Sequence, residues 1–323
     1  MLQIAVIGAG QWGSEHLKSL MQFDEEAKIF VVDPSGQALL NANLIHKQFS
    51  YQGQIKEIKL LHSLRDLDEE LDLAILAIHA EFKREVIEKL LRQCTVKNML
   101  LDPVVFQRSE DFDVILPLLE RHNIKCWVNN PRRYYPIYEE IRKFFKEDSE
   151  IEFQVHGGEW GIGSLTLDFA DLCSFIQKGR DWSIDATGLK KDPKYNFRKG
   201  IMEFKGQING KLGTKSRFNF MEYTGKTSIV FQIADKNYRF MIHEGEGHAT
   251  WGQALEDFKT ENFEVNGALS GCMTHKILKD ILKEDCDLST LEEIAPLHIK
   301  ILKAFQQETE KVLGKKLSYC PIS

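Results

Sequence analysis

The chain opens on an almost unbroken apolar run, residues 2–7. A strand covered by helices on both faces of a parallel sheet needs such a run. Gly13, Leu17, Leu20 and Met21 follow at helical spacing, which predicts a first helix. Residues 29–32 read as a second strand, 73–78 as a later one, and 99–101 and 124–128 as two more. Between these, Phe82, Val86, Ile87, Leu90 and Leu91 make one apolar helix face. Ser109 is placed to cap a further helix carrying Val114, Ile115, Leu118 and Leu119, with Pro117 positioned to kink it. Strands alternating with amphipathic helices over roughly the first 125 residues predict βα units around a parallel sheet.

The pattern then changes. Asn129-Asn130-Pro131-Arg132-Arg133-Tyr134-Tyr135-Pro136 is polar and punctuated by proline, so a domain boundary is expected there, between 1–128 and 129–323. Beyond it the period is mostly two. Ile151, Phe153 and Val155 alternate with polar neighbours, as do Phe218 and Phe220. Residues 228–234 and 238–243 read as a hairpin around Asp235-Lys236-Asn237, and Asn209-Gly210 reads as another turn. Helices are expected at about 164–178, 270–283 and 290–313, the last with Ser289 and Glu292 as a capping box. The fold class is α/β: a domain of βα units around a parallel sheet, then a second α/β domain with a largely antiparallel sheet.

Length and composition narrow the picture. At about 150 residues per domain, 323 residues suit two domains. Lys plus Arg number 42 and Asp plus Glu 48, a net charge of −6 with no long basic run; nucleic acid is therefore not the expected partner. No apolar stretch reaches the ~18 residues of a membrane span, and the amino terminus reads as a strand rather than a signal peptide. The six cysteines, Cys94, Cys126, Cys173, Cys272, Cys286 and Cys320, form no C-x-x-C pair. They are expected to be reduced, mostly buried thiols of a cytoplasmic protein.

Gly8-Ala9-Gly10-Gln11-Trp12-Gly13 is G-x-G-x-x-G placed after a strand and opening a helix, with Asp33 twenty positions beyond Gly13 at the end of the second strand. That context is what makes the motif informative. Gly8 permits a tight turn, Gly10 lets backbone approach a pyrophosphate, and Gly13 lets helix pack on sheet. The helix amino terminus offers N–H groups and a positive dipole end to phosphate. Asp33 suits the ribose hydroxyls, and no Arg or Lys occurs among Pro34, Ser35, Gly36 and Gln37. NAD is therefore expected in preference to NADP.

Nearly end to end, the chain resembles the Gfo/Idh/MocA family of sugar-type oxidoreductases. The fingerprint, the segment Asn130-Pro131-Arg132-Arg133-Tyr134-Tyr135-Pro136, and Gly158-Glu159-Trp160-Gly161-Ile162-Gly163-Ser164 followed by Asp168 and Asp171 carry the resemblance. His298 and the closing Cys320-Pro321-Ile322-Ser323 resemble members associated with bacterial surface-sugar biosynthesis. The resemblance implies a Rossmann domain followed by an open α/β domain with a largely antiparallel sheet, often an oligomer interface. It also implies hydride transfer between a nicotinamide and a carbinol carbon of a sugar. A homodimer or larger homo-oligomer and a small sugar-type substrate follow as expected partners, with neither nucleic acid nor membrane.

The family's usual catalysts are not where the resemblance puts them. Its Glu-Lys-Pro is Leu101-Asp102-Pro103 here, its helix aspartate and histidine are Ser164 and Asp168, and its Thr-Pro is Ile78-His79. Ser164, Asp168 and Asp171 sit at i, i+4 and i+7 and share one helix face. Asp102, Asp168 and Ser164 are therefore the catalytic candidates, with one of the two carboxyls protonated if they approach each other. The alternative for Asp168 and Asp171 is a solvated helix face or pairing with Arg132 and Arg133. Ile78 and His79 join the fingerprint residues on the cofactor side. Arg132, Arg133, Tyr134, Trp160 and Asp171 are substrate-side candidates, while His79 and His156 are the nearest imidazoles. No H-E-x-x-H, C-x-x-C or G-x-S-x-G occurs, and His243 and His248 are five apart with His275 remote, so no metal and no serine nucleophile are expected. Besides the oxidoreductase, two readings stay open: a cofactor-binding regulator or scaffold, and a non-redox lyase or epimerase.

Overall fold

The computed structural model describes residues 1–49, 53–67, 69–195, 200–253 and 273–323, with the backbone of 261–264. Two compact units divide the chain: Met1–Phe106, Glu110–Tyr134 and Gly271–Ile294 form the first, and Gln107–Ser109, Tyr135–Ser270 and Ala295–Ser323 the second. The division is not the single cut expected near residue 128, because a late stretch of chain returns to the first unit.

In the first unit, β1 (Leu2–Ile7), β2 (Ala27–Val32), β3 (Ile55–Leu61), β4 (Leu73–Leu76), β5 (Asn98–Leu101) and β6 (Lys125–Val128) form a parallel sheet in the order β3-β2-β1-β4-β5-β6. The helices α1 (Gln11–Leu20), α2 (Gly36–Phe49), α3 (Ala80–Gln93) and α4 (Glu110–Arg121) connect these strands. The order reverses between β1 and β4, and such a switch point opens a crevice at the strands' carboxyl ends. Ile4, Ala5, Val6, Leu73, Ala74, Ile75 and Leu76 are wholly buried, as the apolar runs required. The α2–β3 pair gave no clear sequence signal: β3 is largely half-exposed at the sheet edge. Helix α4 runs through Pro117.

In the second unit, α5 (Pro136–Phe144), β7 (Glu152–Gly158) and α6 (Ile162–Gln177) are followed by β8 (Trp182–Asp185), the short pair β9 (Lys194–Tyr195) and β10 (Met202–Glu203), then β11 (Gly206–Leu212), β12 (Ser216–Tyr223), β13 (Thr227–Ala234), β14 (Tyr238–His243), β15 (His248–Gln253) and β16 (Glu261–Glu264). Eight strands form one sheet, β16-β15-β14-β13-β7-β12-β11-β8, antiparallel except for the parallel β7–β12 pair. The β13–β14 hairpin falls where expected, its turn held by Asp235 Oδ1, which accepts from the N–H groups of Asn237 and Tyr238. Asn209-Gly210 is no turn but the middle of β11. A Cβ at Gly210 would lie 1.9 Å from the Ser183 carbonyl oxygen and 2.4 Å from the Phe218 ring, so the glycine admits a neighbouring strand and ring.

Helix α7 (Thr274–Leu282) and the long α8 (Leu291–Leu313) complete the chain; residues 270–272 of the expected helix, Cys272 among them, lie outside the described residues. The capping box of α8 is one residue later than expected: the Thr290 N–H donates to Glu293 Oε2 (2.9 Å) and the Glu293 N–H to Thr290 Oγ1 (3.2 Å). The Val128 N–H donates to the Ser289 carbonyl, and Thr290 bridges Trp127, so this returning segment lines β6. The five described cysteines carry no disulfide, and four of them are buried. Among the described residues no helix is long and apolar enough to cross a membrane.

Candidate functional site

The glycine turn explains itself atom by atom. Gly8 has φ +93°, and a Cβ there would meet the Ala77 carbonyl oxygen at 2.5 Å and Ile78 Cγ2 at 2.6 Å. A Cβ at Gly13 would lie 1.8 Å from the Gly8 carbonyl oxygen. Both are glycine because the chain itself fills the space. Gly10 differs. Its φ of −67° suits any residue, and a Cβ would meet nothing within 4 Å. The space beside Gly10 is therefore open, and no side chain caps the amino terminus of α1. That end presents N–H groups to a ligand, with Gln11 and Trp12 exposed beside it.

Asp33 follows β2. Its Oδ2 accepts from the Ala9 N–H (2.7 Å) and its Oδ1 from the Ser35 N–H (2.8 Å). The carboxylate thus shapes the turn, and each oxygen keeps a lone pair for a further donor. Ile78 leans on Gly8, and His79, exposed, is the residue that precedes α3.

Asp102 directly follows β5, next to Asn129, which directly follows β6. It is 7% exposed and sits in a polar cluster that the sequence pattern did not reveal. Oδ1 lies 2.9 Å from His16 Nε2 and accepts from Asn129 Nδ2 at 2.8 Å. The other ring nitrogen of His16, a wholly buried side chain of α1, lies 2.8 Å from Thr274 Oγ1 on α7. Burial pushes the Asp102 carboxyl up, but the charge and hydrogen bond of His16, with Asn129 and Lys83, outweigh it and hold it below the ordinary carboxylate range. Asp102 is therefore an acceptor, not the protonated member of an acid pair, and His16 donates to it from Nε2. Two buried acceptors here, Asp102 Oδ2 and Asn129 Oδ1, have no donor among the described residues. Buried acceptors are rarely left so, and a ligand bearing N–H or O–H groups fits them.

Lys83 lies beneath the same turn. Of the expected face of α3, Ile87, Leu90 and Leu91 are buried and Val86 is half-buried, but Phe82 is exposed and the stripe begins instead with Ala80 and Lys83. Lys83 Nζ donates to the carbonyl oxygens of Asp102 (2.6 Å) and Val104 (2.8 Å). Burial pushes its ammonium down to about 8, against a smaller upward pull from Asp102. The unfolded lysine titrates near 10.4, so between the two values the unfolded chain binds more protons, and stability rises with pH across that window. Relative to Lys83→Met, the wild-type melting temperature is expected to climb between about pH 8 and pH 10. Parallel pH profiles of the two proteins would refute this.

On α6, Asp168 and Asp171 are 7% and 2% exposed, which rules out a solvated face. Ser164 Oγ donates to the Ser323 carbonyl oxygen at 2.7 Å. Glu222 Oε2 accepts from the Gly161 and Ile162 N–H groups and closes the helix's amino end. Trp160 packs edge-on against Phe169 and donates to the Met221 carbonyl, as a core residue does. Arg133 is buried and donates to the Asp287 carbonyl and Ser289 Oγ, both at 2.7 Å. Tyr134 Oη donates to Cys286 Sγ, and burial drives its phenol far up, so it stays neutral. These two hold the returning segment in the first unit; Arg132 is half-buried beside them, and His156 is half-buried on β7.

Residues 2–130 match the GFO_IDH_MocA oxidoreductase family, described by its NAD-binding Rossmann fold. None of the curated proteins matches the chain by sequence. Among solved structures, a super-repressor mutant of Gal80p from Saccharomyces cerevisiae aligns with TM-score 0.71 and 11% identity, over 99% of this chain and 98% of that one. UDP-N-acetylglucosamine 3-dehydrogenase GnnA from Acidithiobacillus ferrooxidans aligns with TM-score 0.68 and 10% identity, over 94% and 97%. An Agrobacterium radiobacter oxidoreductase, solved with NAD+, L-tartaric acid and magnesium, aligns with TM-score 0.67 and 12% identity, over 95% and 96%. At these identities the likeness is one of fold.

Proposed function

Because residues 2–130 carry the NAD-binding Rossmann domain of the Gfo/Idh/MocA oxidoreductase family, we propose that the protein is an NAD-dependent oxidoreductase acting on a hydroxyl or carbonyl carbon of a sugar or sugar derivative. The observation that carries this is the open space at Gly10, in a turn whose other two glycines are filled by the chain's own backbone. A diphosphate needs such an opening at the second glycine of this turn. The amino end of α1 would hold the diphosphate, and Asp33 the adenosine ribose. The unpaired oxygens of Asp102 and Asn129 would accept from donors of the cofactor or substrate. Bound NAD would supply the hydride chemistry. Asp168, buried on α6, would take the hydroxyl proton, and Ser164 and Asp171 lie on its helix face. The protein would work in the cytoplasm as a homodimer or larger homo-oligomer.

Calorimetric titration with NAD+ and NADP+ tests the first half. NAD+ should bind more tightly than NADP+, and Asp33→Ala should erase that preference. No heat with either dinucleotide would end the proposal. A panel of sugars, followed by NADH absorbance, tests the second half, with Asp168→Asn expected to lose turnover.

One observation favours a second reading. Where the family resemblance expects a lysine, the carboxylate of Asp102 is committed to His16 and Asn129. A regulator that binds NAD without turnover suits such a site, and a transcriptional regulator, Gal80p from Kluyveromyces lactis, is among the proteins that share this fold. Bound NAD with no hydride exchange across the panel would select it; isomerised or dehydrated sugar without net NADH would select a lyase or epimerase.

A further inference from the structure

The sequence shows His243 and His248 as two histidines five apart, with no metal motif. The hairpin puts them together. They are direct partners in the β14–β15 register, on either side of the loop Glu244-Gly245-Glu246-Gly247. Pleating sets them on one face. Phe240 and Ile242 of β14 and Ala249 of β15 are buried, so His243 and His248 occupy the opposite, outer face. Their rings stack with centroids 4.3 Å apart and planes 11° from parallel. Gly247, at φ +71°, turns the chain into β15, and Glu246 folds back over the pair. Its Oε2 lies 3.8 Å from His243 Nδ1 and 3.7 Å from His248 Nδ1.

We propose that His243, Glu246 and His248 form a binding site for a divalent transition-metal ion of the zinc class. The three ligand atoms lie within 4.8 Å of one another. A tetrahedral ion with bonds of ~2.0–2.1 Å needs ligand atoms roughly 3.3 Å apart. The two carboxylate-to-imidazole edges need to close by about half an ångström, with Glu246 half-exposed and able to move, and the two stacked rings must turn about their side-chain bonds so that their in-plane lone pairs converge on the ion. Two imidazoles and one carboxylate suit zinc, nickel or cobalt(II) rather than magnesium or calcium, which prefer all-oxygen sites. Among the described residues the three side chains have no hydrogen-bond or ion-pair partner but one another, and no lysine or arginine competes for Glu246. Nearby, Tyr138 Oη donates to Glu244 Oε1 at 2.6 Å, which anchors the start of the loop. With three protein ligands, a tetrahedral ion keeps a fourth position for water or an incoming ligand.

The full-length protein, stripped with a chelator, should bind one zinc ion per chain by calorimetry. Cobalt(II) at the same site should give visible d–d absorption of a low-coordinate ion. His243→Ala and His248→Ala should each weaken zinc binding by about tenfold or more, since loss of even an outer-shell partner acts on that scale. Glu246→Gln should weaken it too, while His122→Ala, one residue past the end of α4, should not. Zinc affinity unchanged in His243→Ala/His248→Ala, or no binding to the wild type, would overturn the proposal. Should a variant fail to fold, the wild-type imidazole 15N spectrum decides: zinc must shift the signals of two histidines, and an unshifted spectrum is a refutation. None of these readouts depends on dinucleotide binding.

Discussion

Gly10→Ala is expected to lose dinucleotide affinity by at least about tenfold, roughly 1.4 kcal/mol, while costing less than about 1 kcal/mol of stability. The new methyl would enter space that the protein leaves empty and that a diphosphate would need. Gly13→Ala should do the reverse in order of cause. Its methyl would sit 1.8 Å from the Gly8 carbonyl oxygen. The turn and α1 must then separate, at a cost of about 3 kcal/mol, the upper range for forcing a methyl group into a packed interior. Binding is lost there because the turn is lost. Thermal melts and NAD+ titrations on both variants separate the two cases. An alanine at position 10 that binds NAD+ as the wild type does would show that the space is not a phosphate site.

His16→Leu is expected to destabilise the protein at neutral pH by about 3–5 kcal/mol, the scale for stranding a buried charge. Asp102 would then keep only Asn129 and the more distant Lys83. The pH dependence identifies the cause. In the wild type the Asp102 carboxyl is held below the ordinary range. Its contribution is complete above the unfolded value of about 3.9 and is lost as pH falls through the lower folded value. In His16→Leu burial prevails, the carboxyl takes up its proton more readily, and the deficit should shrink as the solution is acidified. The double variant His16→Leu/Asp102→Leu should recover much of the loss, because an apolar pair replaces an ionic one without orphaning either partner. Chemical denaturation at several pH values measures this. A deficit constant with pH and no recovery in the double variant would place the cost in packing instead.

The first sheet was legible because burial on both faces writes a continuous apolar run, and Leu2–Ile7 and Leu73–Leu76 are such runs. The edge strand β3, half-exposed and lysine-rich, writes none. Gly8 and Gly13 of the fingerprint were legible because backbone crowding there admits one residue type only. The cluster around Asp102 was not, because its partners come from distant stretches: His16 from α1, Asn129 from β6 and Thr274 from α7. Lys83 escaped since a charged residue in an apolar stripe reads as a break, until the two carbonyls waiting for it are seen. Asn209-Gly210 misled for a related reason: glycine there answers a neighbour's ring, not a bend in its own chain.

The late stretch that ends at Ile294 bears on how the molecule is made. Thr274 reaches His16, Ser289 and the Asp287 carbonyl receive Arg133, and Ser289 lines β6. A polypeptide leaving the ribosome in order has synthesised its whole parallel sheet long before these residues exist. Until translation passes Ile294, His16 lacks Thr274 and Arg133 lacks its acceptors on 287 and 289. Completion of the first unit is thereby tied to synthesis through Ile294, and a product terminated before these residues would hold all six strands of the sheet while His16 and Arg133 lack these partners.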